Sequence, residues 1–205
     1  MADTDGIGAA TATPAQRVAA AFPGFATLPP RTFGDDVVTV RREGLPQVLA
    51  FLRDDPSCGF DLPLDVTCVD RLGLGPRPAH ERAPAHPLLT DGFQPSFGRP
   101  EGPRFEVIVH LRRLADAAVV RVKVPVDEAD PVVPSATGLY RGLDWFEREV
   151  FDLFGIRFEG HPDLRRILTY PEFVGHPLRK DYPRRGYQPL VPMPCLEGDA
   201  VPGAR

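Results

Sequence analysis

The sequence predicts an α+β fold: a mixed or antiparallel sheet, amphipathic helices, and an extended, irregular C-terminal tail. Three observations carry this expectation. Phe105, Val107, Val109 and Leu111 alternate with Glu106, His110 and Arg112, and Val120, Val122, Val124 and Val126 oppose Arg121 and Lys123. That is the period of a hairpin with one apolar face. Leu45, Val48, Leu49 and Leu52 recur at the i, i+3, i+4, i+7 spacing of a one-faced helix. Eight prolines between Gly155 and Arg205 forbid a long helix there.

In chain order, residues 1–12 are small and polar and read as a disordered N-terminus. Thr13-Pro14 opens a helix with a hydroxyl cap and a proline at the first helical position, and Pro23-Gly24 closes it after Phe22. Val37 to Arg41 is rich in β-branched residues and reads as a strand. Leu64, Val66 and Cys68 alternate with Asp65, Thr67 and Val69, a second strand. Residues 73–103 lack periodicity and read as a long Pro/Gly-rich surface loop. Ala115-Asp116-Ala117 turns the hairpin. The domain organisation expected is therefore an α+β domain over 13–155 and an extended partner-binding tail over 156–205.

Composition bounds the function. The chain has 205 residues, 42% of them apolar and 25% charged, enough for a packed core. A net charge of −4 argues against a nucleic-acid binder that works by overall phosphate attraction. Prolines number 25, far above ordinary usage, so long irregular connections are expected. Cys58, Cys68 and Cys195 form no CxxC pair, which speaks against a zinc or iron–sulfur site built by this chain. No apolar run reaches the roughly 18 residues of a spanning helix. The start, Met1-Ala2-Asp3-Thr4-Asp5, has no signal-like core, so a cytoplasmic chain that meets a membrane only through partners is expected.

The helix expected over 138–154 is the most informative element. Leu139, Leu143, Phe146, Val150, Leu153 and Phe154 form one stripe at about 100° per residue. Tyr140, Trp145 and Phe151 fall outside it, on a side that also carries Asp144, Arg148 and Asp152. Three surplus aromatics imply cover, by the chain's own tail or by a second protein. Glu147 and Glu149 resemble an acid/base pair but lie about 200° apart on a helix, so they cannot converge on one substrate. A structural role fits better, with Asp144–Arg148 and Arg148–Asp152 as i, i+4 ion pairs.

Other chemistries find little support. His161 and His176 each sit in a Gly-His-Pro triplet with Asp163 and Asp181 nearby, but fifteen positions apart in irregular chain they suit turns better than a metal. The glycine fragments Gly6-Ile7-Gly8 and Gly73-Leu74-Gly75 lack the context of a dinucleotide fingerprint, and no nucleophile elbow is present. Arg165, Arg166, Arg179, Lys180, Arg184 and Arg185, interleaved with Tyr170, Tyr182 and Tyr187, could stack on RNA. In an acidic chain, docking onto an acidic protein face or onto the chain's own carboxylates is the better fit. The bottom-up reading is a subunit of something larger.

The run Glu147-Arg148-Glu149, then Asp152-Leu153-Phe154, His161 and Arg165 resembles the signature of the thirty-kilodalton subunit family of respiratory complex I, the proton-pumping NADH:quinone oxidoreductase. Asp144-Trp145, Gly155-Ile156 and the stretch Gly160 to Leu168 extend the likeness, and Gly175 to Pro183 resembles the family's second signature. The resemblance implies an α+β domain in the peripheral arm, on the cytoplasmic face of the bacterial inner membrane. It implies a hetero-oligomer with the quinone-site subunit and the iron–sulfur subunits. It also implies no cofactor in this chain, with FMN and the iron–sulfur clusters held by partner subunits. Trp145, Glu147, Arg148, Glu149, Phe151, Asp152, His161, Arg165, Arg166, His176, Arg179, Lys180, Asp181 and Tyr182 become the candidate partner-binding residues. Similar subunits occur in ferredoxin- and deazaflavin-linked dehydrogenases and membrane-bound hydrogenases, which leaves the electron donor open. The competing class is a free-standing interaction or RNA-binding adaptor.

Overall fold

The structure, a computed structural model, describes residues 12–30, 34–74, 100–183 and 188. The N-terminus up to residue 11, most of the Pro/Gly-rich loop (75–99), Arg184, Arg185, Tyr187 and Cys195 lie outside the described residues.

Helix α1 (Pro14–Ala21) begins where the sequence places it. The Thr13 hydroxyl accepts from the Gln16 N–H while Gln16 Oε1 accepts from the Thr13 N–H, a capping box. The Thr13 hydroxyl also donates to Asp36 Oδ1 at 2.7 Å, tying the helix to the strand that starts at Asp36. Strands β1 (Ala26–Thr27) and β2 (Asp36–Val40) pair antiparallel. After a 3₁₀ turn, α2 (Leu45–Asp54) buries Leu45, Val48, Leu49 and Leu52, the stripe read from the sequence. Strands β3 (Leu62–Asp70), β4 (Phe105–Arg112) and β5 (Val119–Val126) complete a five-stranded sheet of order β1-β2-β5-β4-β3.

The hairpin β4–β5 is antiparallel, and β2 joins β5 in parallel. Since β3 is antiparallel to β4, it runs with β2 and β5. The β2–α2–β3 crossover therefore straddles two strands inserted between its own, a split βαβ. The sheet's inner face, with Val38, Val40, Val66, Cys68, Phe105, Val107, Val109, Leu111 and the even valines of β5, packs with residues of all three helices in one core. The outer face carries the buried Val37 and Ile108 among polar residues and is held by ion pairs, such as Lys123–Glu106 at 3.0 Å and Arg121–Asp35 at 3.0 Å.

Four local expectations change. Leu64 is exposed, not inward, because the register shifts between Pro63 and Asp65, and the extra residue throws its side chain out. The helix expected from 138 is α3 (Asp144–Phe154), preceded by a single 3₁₀ turn at Arg141–Leu143. Tyr140 therefore lies off the helix and is core: it is buried, and its hydroxyl donates to the Phe60 carbonyl at 2.7 Å. Regular structure also continues past Gly155, since β7 (Arg157–Glu159) pairs in parallel with β6 (Val132–Pro134). Three residues are too few to show a periodicity.

Candidate docking site

Helix α3 ends at Gly155, whose φ of 74° is the left-handed cap that glycine adopts freely. A Cβ there would also lie 2.5 Å from His176 Nε2 and 2.7 Å from Arg179 Nη2, so the position is closed to a side chain on two counts. Those neighbours belong to the C-terminal segment, which turns back after β7 and lies along α3.

One carboxylate organises that return. Asp152 is fully buried on α3. Its Oδ2 accepts the backbone N–H groups of Ile167, Leu168 and Thr169 at 3.1, 2.8 and 2.8 Å. Its Oδ1 accepts from Arg166 Nη1 at 2.6 Å and from the Thr169 hydroxyl. Burial alone would raise this carboxyl, but the Thr169 and Arg166 hydrogen bonds outweigh it and hold Asp152 well below the usual carboxylate range. Main-chain carbonyls complete the grip: His176 Nδ1–H donates to Asp152 O at 2.9 Å and Arg179 Nε to Phe154 O at 2.6 Å.

A second anchor lies at the start of β4. Arg104 is buried and takes Asp70 at 2.7 and 3.0 Å, Glu128 at 2.5 Å, and Asp181 at 2.7 and 2.9 Å. Lys180 adds its backbone N–H to Asp70 Oδ2 at 2.8 Å, while its side chain stays exposed. The segment is thus clamped at 166–169 by α3 and at 180–181 by the edge of the sheet.

The remaining candidates divide between support and surface. Glu147 is buried and accepts from the Ser135 hydroxyl at 2.6 Å and the Ala136 N–H at 2.7 Å. Burial pushes its carboxyl upward against those two bonds. Arg148 donates to the carbonyls of Arg165 and Arg166 at 3.2 and 3.3 Å. The expected i, i+4 pairs with Asp144 and Asp152 do not form, because the returning segment offers Arg148 carbonyls and supplies Asp152 with Arg166. His161 accepts the Asp163 N–H on Nδ1, so Nε2–H donates to Asp144 O at 3.2 Å. The carbonyls that the two imidazoles bind, those of Asp144 and Asp152, lie eight residues apart along α3, about 12 Å by helical rise. Phe151 is half-buried, and Tyr182 stacks on Phe173 with ring centroids 6.2 Å apart. Arg165 is exposed and pairs with Asp163 at 2.9 Å.

Trp145 and Glu149 stay on the surface. Trp145 is 69% exposed and, with Gly142, Phe146, Glu149, Ile167 and Leu168, lines a cleft of about 340 Å³ between α3 and the returning segment. Leu168, Val174 and Leu178 are also exposed, at 63%, 64% and 49%. Cover of Trp145 by the described tail, one of the two explanations for its position, is not what the structure shows. Arg104, Asp70, Glu128 and Thr169 escape a reading of the sequence: Arg104 sits 34 residues from Asp70 and 77 from Asp181, and no local spacing joins them.

Fold and site together define a split βαβ domain that staples a proline-rich C-terminal segment across its own last helix and leaves an apolar seam at the surface. Among the described residues no helix is long and apolar enough to cross a membrane. The chain belongs to the family described as "Respiratory-chain NADH dehydrogenase, 30 Kd subunit", which residues 38–188 match. The C-type subunits of NADH-quinone oxidoreductase from Acidithiobacillus ferrooxidans and Trichlorobacter lovleyi are each 44% identical over 153 residues, 75% of this chain. The match spans 65% of the former, just under two thirds of its length, and 77% of the latter. The solved structure of a trypsin-resistant fragment of Nqo5 superposes with a TM-score of 0.53 at 29% identity, covering 74% of this chain and 100% of that one. A chain of the membrane-bound sulfane sulfur reductase, an archaeal respiratory membrane complex, shares the fold with a TM-score of 0.56 at 21% identity, covering 82% of each chain.

Proposed function

We propose that this chain is a non-redox structural subunit of the peripheral arm of a proton-translocating NADH:quinone oxidoreductase, on the cytoplasmic face of the membrane. In this reading FMN and the iron–sulfur clusters belong to partner subunits, and the chain is held beside a quinone-site subunit and the iron–sulfur subunits. The names of its relatives support the reading. The observation that carries it is how the side chains are used. Asp152, Glu147, Arg148, Arg166, His176 and Arg179 are engaged in holding the chain's own backbone. Meanwhile Trp145 on α3 and Leu168, Val174 and Leu178 on the returning segment remain in water. Polar groups spent internally beside large exposed apolar ones are the signature of a surface built to be covered.

The test is purification from native membranes through a tag on this chain. A quinone-site subunit and cysteine-rich iron–sulfur subunits should copurify, with NADH-dependent quinone reduction. The chain expressed alone should show neither flavin absorbance nor iron. A tagged chain that brings no companions, or a lone chain that carries a flavin or a cluster, overturns the proposal.

A further inference from the structure

The cleft beside α3 has a chemistry that the fold leaves unused. Trp145 and Glu149 are one helical turn apart on the same face, and both line it over a floor of Phe146, Ile167 and Leu168. Glu149 is exposed and has no ion-pair partner among the described residues. The adjacent Arg148 is committed to two carbonyls and Arg165 of the returning segment to Asp163, while Arg141 and Arg157, each eight residues from Glu149, are exposed and form no ion pair with it. An indole face, an unpaired carboxylate and an apolar floor suit one kind of side chain, a flat cation. A guanidinium stacks on the indole and pairs with the carboxylate together, while an apolar neighbour fills the floor. The carboxylate also disfavours a phosphate, whether from a nucleic acid or a lipid headgroup.

We propose that this cleft receives an arginine, flanked by an apolar residue, from a partner protein, with the guanidinium over Trp145 and against Glu149. This rests on the reading of the chain as one subunit of a larger assembly. The pair forms a compact anchor beside the exposed Leu168, and binding energy at interfaces concentrates in few such residues.

The experiment uses the assembled complex from native membranes. Trp145→Ala should raise the dissociation rate of this chain about thirtyfold, the scale of an aromatic hot spot. Glu149→Lys should do at least as much, Glu149→Gln less, and Trp145→Phe should keep most of the retention. Leu114→Ala, equally exposed at the hairpin end, should change nothing. All the changed residues are at the surface, so thermal midpoints should match the parent. A photo-crosslinking residue in place of Leu168 should capture a peptide of another subunit that contains an arginine next to an apolar residue.

If Trp145→Ala and Glu149→Lys are retained like a parent that still brings its companions, the anchor is wrong and the subunit reading stands. Capture of a peptide without a basic residue, of a second copy of this chain, or of a phospholipid also overturns the anchor. If the parent itself brings no companions, the subunit reading and the anchor fall together.

Discussion

Asp152→Asn is the most direct probe of the staple. The amide keeps the shape of the carboxylate but turns one acceptor oxygen into a donor. Facing one way it opposes three N–H groups, from Ile167, Leu168 and Thr169; facing the other it opposes Arg166 and the Thr169 hydroxyl. Removing one partner of a buried ion pair costs about 3–5 kcal/mol. Arg166 keeps 18% of its side-chain surface in water, so the low end applies, about 3 kcal/mol. At about 2–4 °C per kcal/mol for a chain of this size, the thermal midpoint should fall by about 6–12 °C. If the segment opens locally before the domain unfolds, the same energy appears as amide exchange about a hundredfold faster at 167–169. The carboxyl is held below its ordinary value, so its stabilisation is present above about pH 4 and is lost as pH falls through the folded value. The gap between parent and variant should therefore close in acid. A midpoint within about 2 °C of the parent, together with unchanged exchange at 167–169, would refute the staple.

Three further outcomes test the surrounding geometry. Gly155→Ala forces a Cβ into a left-handed cap and against His176 and Arg179, and should lower the denaturant midpoint by an equivalent of about 2 kcal/mol or more. Arg104→Met leaves Asp70 buried without its guanidinium. It should cost about 3–5 kcal/mol at neutral pH, with faster exchange at the Lys180 N–H that Asp70 also accepts. Burial first, then the nearby guanidiniums of Arg179 and Arg166, push the His176 imidazole below its ordinary value against the pull of the Asp152 carbonyl. Stability from His176 is thus present above about pH 6.5 and is lost as pH falls through the folded value. Denaturation across pH should show that slope in the parent and a flatter profile in His176→Gln.

The periodic segments were legible because a sheet face and a helix stripe are written locally. The inward residues of β4 and β5, the four leucine and valine positions of α2 and the Thr13 cap all follow from spacings of two, three or four residues. The signature residues were legible as a set, through the family they resemble, but their roles were not. Spacing alone pairs Arg148 with Asp152. Folding gives Asp152 to Arg166 and three backbone amides, because the returning segment brings donors that α3 does not own. Tyr140 and Leu64 went astray for the same reason: a short turn and a single bulged residue, invisible to periodicity, decide which way each side chain faces. By itself the sequence determined the longer elements, from α1 and α2 to the strands β2–β5, and that α3 carries surplus aromatics. Only the tertiary structure decided which of those aromatics stay in water, since exposure depends on where residues far apart in the chain come to lie.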